Sequence, residues 1–328
     1  MNLFTRLVDN YTDLNWVASQ GKRLAIPRNR FIQRIMLYFL ITGNTAGTVV
    51  LSDNTILDWI PGIRLVKNGE TIVNLAAKDL AFTNCYDKGR FPQVYAITTI
   101  SQTGVTIGEA NLTIDFMLNP KNDGDFYALL PAHMLSSLDL FIDWGAAAQA
   151  TGYTITAGVC KVTLKEVALT KEDLAKIGNI WAVKWTATEK TIDAAYGTYL
   201  FPIDLPTGKV IQRAYLNVVN NTVRSDAEIV DPGFKLYDAD SEFSRMCWID
   251  AQHALCDWAG IPSSPGSFPA GGPPVPGRIV GFNSLGIERL SPLGLNATGY
   301  KAGDLRVGFN TLAPTAVSKV RLITKELS

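Results

Sequence analysis

The chain has 328 residues, 47% of them hydrophobic and 18% charged, with 30 basic side chains balancing 30 acidic ones. Such a neutral, charge-poor chain lacks the clustered Lys and Arg excess that phosphate binding requires, which excludes nucleic acid as a direct partner. Its length allows two domains with cores that need no disulfide or metal, and no apolar run approaches the roughly 20 residues of a membrane-spanning helix. Cys85, Cys160, Cys247 and Cys256 have no framework spacing and no leader precedes the first charges, so folding in a reducing cytoplasm is expected.

In chain order, Leu3, Phe4, Leu7, Val8, Tyr11 and Leu14 recur at helical spacing, with Arg6, Asp9, Asn10 and Asp13 between them. This predicts a short amphipathic helix within an N-terminal arm, residues 1–22, packed on its own domain or on a neighbouring subunit. A membrane-surface helix is the less favoured reading, because its polar face would carry Lys and Arg. From Ile26 the pattern turns to strands, with Phe31, Gln33, Ile35, Leu37 and Phe39 on one face. Asn68-Gly69, inside Val66–Ile72, predicts a tight hairpin, since Asn-Gly readily adopts the two positive φ angles of a type I′ turn. Strands are expected at 94–100, 111–118, 138–144 and 159–168, with one small helix near Pro131–Leu135. Thr170-Lys171-Glu172-Asp173 reads as a capping box opening a helix through Ile177 and stopped by Gly178. Residues 171–190 are therefore assigned as a connecting helix and linker. Strands resume at 198–203, 210–219, 229–237, 243–249, 278–283, 304–309 and 318–325. From Ile261 to Gly277 lie six prolines and four glycines, a composition that predicts a long irregular surface loop.

The chain also repeats itself. Phe31-Ile32-Gln33-Arg34-Ile35-Met36-Leu37 returns 179 residues later as Val210-Ile211-Gln212-Arg213-Ala214-Tyr215-Leu216. Ile56-Leu57-Asp58 and Pro61-Gly62-Ile63-Arg64-Leu65 are answered by Ile229-Val230-Asp231-Pro232-Gly233-Phe234-Lys235-Leu236. Leu140, Ile142 and Trp144 fall on Leu305, Val307 and Phe309, and Lys161-Val162-Thr163-Leu164 on Lys319-Val320-Arg321-Leu322. The offset shrinks from 179 to 158, as expected when loops absorb the deletions. Two copies of seven or eight short strands predict an all-β chain of two tandem eight-stranded antiparallel jelly rolls, at 23–170 and 191–328, with the N-terminal helix and short connecting helices.

Signals of chemistry are sparse. No phosphate-binding glycine loop, nucleophile elbow or His-Glu-x-x-His occurs, and the two histidines, His133 and His253, lie in different halves. Cys247, His253 and Cys256 match no zinc-site spacing and read better as thiols packed beside Trp248 and Trp258. Asp58 and Asp231 recur in both copies; as catalytic acids they would need partners at defined separation, and the favoured reading is as acceptors for the turns that Pro61-Gly62 and Pro232-Gly233 continue. Asn-x-Ser/Thr triplets at Asn111, Asn220 and Asn296 carry little weight without a secretory signal. The sequence does not place Trp181, Trp185 and Trp258 inside or outside. No catalytic, cofactor or metal residue is assigned.

A duplicated jelly roll of this length, opened by Phe31-Ile32-Gln33-Arg34 and Val210-Ile211-Gln212-Arg213 and closed by the two Lys-Val-x-Leu segments, resembles the double jelly-roll major capsid proteins of the adenovirus and tectivirus lineage. Leu138-Asp139-Leu140-Phe141-Ile142-Asp143, late in the first roll, belongs to the same resemblance, and the length is similar to that of members from membrane-containing bacteriophages. The resemblance implies a structural protein, not an enzyme. It implies homotrimers that contact neighbouring capsomers and minor capsid or vertex proteins in an icosahedral virion, over an internal membrane. Phe4, Leu7, Val8 and Tyr11 then become the inner-face or membrane contact, and the 261–277 loop a tower or intersubunit element. The rival expectations are a glycoamidase-like enzyme of tandem jelly rolls and a glycan-binding module.

Overall fold

The computed structural model describes residues 4–45, 48–50, 53–89, 94–96, 98–100, 103–147, 153–178, 180–195, 201–220, 223–224, 229–239, 241–261, 279–283, 295–314 and 317–328. These form two compact units that divide between Val183 and Lys184. The 261–277 loop, apart from Ile261, lies outside the described residues.

The first unit opens with β1 (Phe4–Asn15), β2 (Gly21–Ala25), β3 (Phe31–Thr45) and β4 (Thr48–Val50). Helix α1 (Asp53–Asp58) leads to the hairpin β5 (Gly62–Lys67) and β6 (Glu70–Leu75), and then to α2 (Ala77–Lys88). There follow β7 (Val94–Ala96), β8 (Thr98–Ile100), β9 (Val105–Asp115), β10 (Leu130–Pro131), β11 (Leu138–Asp143) and β12 (Tyr153–Ala168). The second unit holds β13 (Val183–Ile192), β14 (Phe201–Asp204), β15 (Val210–Asn220), β16 (Val223–Arg224) and β17 (Ile229–Asp238). It continues with β18 (Ser241–Met246), β19 (Ile279–Asn283), β20 (Leu295–Asn296), β21 (Leu305–Thr311) and β22 (Ser318–Leu327). Helix α3 (Lys171–Ile177) precedes β13, and α4 (Trp248–Ala259) follows β18.

Each unit is a sandwich of two sheets. In the first, the order β1-β12-β3-β9-β7 lies opposite β6-β5-β11-β2. Ile35, Leu37, Phe39 and Ile41 of β3 are buried with Ile63 and Leu65 of β5 and Leu140 and Ile142 of β11. Phe39 and Trp144 meet edge to face with centroids 5.7 Å apart, a favoured aromatic geometry. In the second unit, β16-β15-β22-β13 packs against β14-β21-β17-β18 around Leu216, Val218, Leu236, Val307, Phe309 and Leu322.

The two units share one internal plan. β3 pairs with β12, β9 and β10 as β15 pairs with β22, β19 and β20, and β11 lies between β5 and β2 as β21 lies between β17 and β14. The first strand of each unit, β1 or β13, lies beside the last, β12 or β22. Phe4 and Val183 are 179 residues apart, the same offset as Phe31 and Val210.

This corrects two expectations together. The predicted N-terminal helix is strand β1, and the second half of the predicted 171–190 linker is strand β13; both are copies of one element. An apolar pattern at i, i+3, i+4 and i+7 over so short a segment can be satisfied in either conformation, and a free strand partner decides it. β12 supplies that partner, pairing in unbroken register from Phe4↔Ala168 to Asn10↔Val162.

Local signals are realised where they are strongest. Asn68 and Gly69 take φ of 47° and 85° in the β5–β6 turn, as a type I′ turn needs. The Thr170 hydroxyl accepts from Asp173 N at 3.1 Å while Asp173 Oδ2 accepts from Thr170 N at 3.2 Å, closing the capping box of α3. The small helix near Pro131–Leu135 is a single 3-10 turn, Ala132–Met134. The strand expected at 243–249 ends at Met246, and α4 begins at Trp248. Helix α2 was not foreseen, because Asp79, Thr83, Asn84 and Asp87 are buried along with its apolar residues and leave no polar stripe.

Candidate functional site

The repeated Gln-Arg motif marks the same structural device in both units. Along β3 and β12, Arg34 opposes Lys165 and Ile32 opposes Glu166, so Gln33 is the extra residue of a β-bulge. Along β15 and β22, Arg213 opposes Lys325 and Ile211 opposes Glu326, which makes Gln212 the same extra residue. The structural equivalents on the closing strands are therefore Lys165-Glu166 and Lys325-Glu326. The Lys-Val-x-Leu match lies two residues out of this register, an even slip that keeps each side chain on its face.

The bulge also revises the predicted strand face. Ile35, Leu37 and Phe39 share the core face, whereas Ile32 is brought into the core and Phe31 joins a separate cluster with Phe126, Leu129 and Val167. Gln33, fully buried, donates from Nε2 to the Asp123 carbonyl at 3.0 Å. This anchors the chain that connects β9 to β10.

Around each bulge lies a band of paired polar side chains whose Asp115, Glu166 and Glu326 carboxylates are buried. In the first unit the Asp115 carboxylate receives Arg34 on one oxygen and Lys88, 3.2 Å away, on the other. Burial lowers the Lys88 pKa, and Asp115 opposes that shift without cancelling it. Asp123 bridges Arg34 at 2.9 Å and Lys165 at 3.0 Å. Partial burial works against its charge, but hydrogen bonding and attraction to Lys165 and Arg34 hold the carboxyl below its usual range. Glu166, fully buried, meets Arg6 of β1 at 2.8 Å.

The second unit keeps the position and changes the chemistry. Glu326 accepts from Thr186 of β13 at 2.9 Å and from Lys209 at 2.8 Å. Lys325 lies over the Trp185 ring and Arg213 over the Trp258 ring, at 5.4 and 5.1 Å. Cation–π contact of this kind stabilises a desolvated charge. In both copies a buried glutamate on the last strand ties down the first. Charge-assisted bonds of this type fix geometry.

The predicted contact residues do not form one surface. Leu7 and Val8 are neighbours on β1 and fall on opposite faces; Leu7 is 66% exposed and Val8 is half-buried. Phe4 lies across from Ala168, and Tyr11 lies where the β1–β12 register shifts between Asn10 and Leu14. Because side chains alternate along a strand, Leu7 and Val8 cannot belong to one contact face.

Other singled-out residues have structural surroundings. Asp58 ends α1 and pairs with Lys78 of α2, instead of capping the Pro61-Gly62 turn. Asp231 lies in β17 where pairing with β21 shifts between Val230 and Lys235, at Pro232-Gly233. Proline has no N–H to give a ladder, which accounts for the interruption. Cys247 and His253 are exposed whereas Cys256 is buried in α4, and no metal-binding group of His, Cys, Asp or Glu occurs among the described residues. Burial raises the pKa of the Cys160 thiol, so it behaves as packing. His133 packs edge-on against Phe31 at 4.6 Å, beside an open groove of about 510 Å³ that Arg28 and Asn29 line without any carboxylate. Trp185 is buried, while Trp181 and Trp258 are partly so.

No family model and no curated protein matches the sequence. Solved structures do match the fold. The STIV MCP aligns with a TM-score of 0.73 at 16% identity, over 99% of this chain and 97% of its own. A chain from the atomic structure of Sulfolobus Turreted Icosahedral Virus gives 0.76 at 15% identity, over 99% and 90%. The major capsid protein P2 from Bacteriophage PM2 gives 0.60 at 12% identity, over 99% and 97%. With its duplicated sandwich plan and these end-to-end alignments, the chain has the double jelly-roll fold that these viral major capsid proteins share.

Proposed function

We propose that this chain is the major capsid protein of an icosahedral virus, a structural component of the virion that makes and breaks no bond. The observation that carries this reading is the span of the likeness, 99% of this chain against 97% of the STIV MCP. A shared sandwich alone would fit many activities, because fold does not dictate function; a match through both rolls in one order narrows the choice. The bonded carboxylates buried in the polar bands, Asp115, Glu166 and Glu326, are also suited to holding a rigid wall.

In this reading three copies form a capsomer of six similar rolls, and capsomers tile a shell over an internal membrane, with minor proteins at the vertices. The N-terminal strand and its exposed Leu7 belong to contacts between copies. Size-exclusion chromatography with light scattering tests the assembly. A species of three times 35.8 kDa, or closed shells by electron microscopy, is the expected result. A monomer at all concentrations overturns it. Flotation with vesicles in the presence of the trimer tests the membrane contact separately.

A further inference from the structure

The groove beside His133 is braced on both walls. One wall is the connection from β2 to β3, where Ile26 N donates to the Leu138 carbonyl at 2.8 Å. The other is the 3-10 turn Ala132–Met134, which Leu135 N closes on the Ala132 carbonyl at 3.1 Å. Arg28 Nη1 ties the two walls together by donating to the Leu135 carbonyl, and Phe31 holds the His133 ring edge-on. Three exposed polar side chains, Arg28, Asn29 and His133, line the space together with apolar Ile26, Pro27 and Leu135. Apart from that Nη1 bond, the Arg28 guanidinium, the Asn29 amide and the His133 nitrogens have no hydrogen-bonding partner among the described residues. No acidic side chain lines the groove.

We propose that this groove binds a phosphomonoester, with its phosphate on Arg28, Asn29 and His133 and its organic body against Ile26, Pro27 and Leu135. The Nε–Nη2 edge of Arg28 is the planar fork that grips an oxyanion through two parallel hydrogen bonds. Arg28 is permanently charged and His133 gains a charge when protonated, so the two together balance a monoester of roughly −1.5 to −2 at pH 7. Its terminal oxygens give each of the three donor groups an acceptor. Two cations suit one phosphate, not the row of phosphates along a nucleic acid. A volume of about 510 Å³ is that of a small-molecule site and leaves room for a body beyond the phosphate. A soluble glycerol phosphate and the headgroup of phosphatidic acid share this chemistry. Met134, adjacent to His133 and 72% exposed, is the side chain that would enter lipid if the headgroup is the source. The site lies within the first unit, so it is present in monomer and trimer alike.

The test uses the full chain and two probes, sn-glycerol 3-phosphate in titration calorimetry and phosphatidylcholine vesicles with or without phosphatidic acid in flotation. Arg28→Gln should weaken binding of the soluble ester about tenfold, and Arg28→Lys, which keeps the charge and loses the fork, should recover no more than about threefold of that. His133→Phe keeps a ring against Phe31 and removes both nitrogens; a loss of about threefold to fivefold is expected. Lys301→Gln, an exposed charge in the second unit, should leave binding unchanged, and thermal unfolding of each variant checks the fold. Flotation that requires phosphatidic acid and falls with both Arg28→Gln and Met134→Ser assigns the lipid headgroup as a source. Binding of the soluble ester without flotation assigns the soluble source, and either result supports the site. No binding of either probe, or binding that Arg28→Gln and His133→Phe leave as strong as in the parent, overturns the proposal.

Discussion

Removing the carboxylate of Asp115 should destabilise the first unit through the two cations it leaves behind. The Asp115 side chain is 2% exposed, and Arg34 and Lys88, which it joins, are each 16% exposed. Breaking a buried ion pair from one side costs about 3–5 kcal/mol, and because both cations retain a little solvent, Asp115→Ala belongs near 3 kcal/mol. For a unit of this size each kcal/mol shifts the midpoint by about 2–4 °C, so a drop of roughly 6–12 °C is expected. Thermal unfolding followed by hydrogen exchange in the 105–115 peptide reads the first unit, with the 210–220 peptide as internal control. The second unit shows what the alternative looks like, since Asn283 stands opposite Arg213 and the arginine lies on Trp258 instead. Replacing the whole cluster with apolar residues, Arg34→Met, Lys88→Met and Asp115→Leu together, should recover most of the loss. A midpoint for Asp115→Ala within 1 °C of the parent would refute the reasoning, because it would mean that water reaches both cations freely.

Further outcomes follow from particular contacts. Phe39→Ala removes a fully buried ring from between the sheets and should cost about 3–5 kcal/mol in urea unfolding, whereas Leu7→Ala, at 66% exposure, should leave monomer stability within about 0.5 kcal/mol. Gly108→Ala builds a Cβ into Ile56 Cδ1 and 2.8 Å from its Cγ1; an overpacking cost of about 1–3 kcal/mol is expected by the same assay. Acid should weaken both units. Asp123 and Glu189 have folded pKa values below their usual ones, Asp123 through Lys165 and Arg34, Glu189 through its hydrogen bond to Lys319 and the nearby Arg321. A depressed carboxylate stabilises the fold above its unfolded pKa, so this contribution should disappear as pH falls from the usual carboxylate range through the folded values. Chemical unfolding at stepped pH checks this, and Asp123→Asn should flatten the dependence in the first unit.

Much of the architecture was legible because it is written locally. The Asn68-Gly69 turn and the Thr170 capping box depend on residues adjacent in sequence, and both form as read. The Gln-Arg motif was visible as a repeat, but its role was not, since a bulge exists only between two strands and needs Lys165-Glu166 or Lys325-Glu326 across from it. The polar band around Asp115 could not be assembled from the sequence either: Arg34, Lys88, Asp115, Asp123 and Lys165 lie on separate elements. Its one advance signal was the Gln33-Arg34 pair itself, polar residues inside an otherwise apolar strand.

By itself the sequence determined that the chain is β-rich, written twice, neutral and without a recognised catalytic motif, since composition, alternation and repetition need no knowledge of what packs where. Tertiary structure decided which segments became the edges. Phe4–Asn15 has a pattern that a helix could also use, and it is a strand because β12 offers a row of hydrogen-bonding groups and Glu166 offers a charge to Arg6. The physical reason is that strand pairing is a contract between residues more than 140 positions apart, and no local window contains both sides of it.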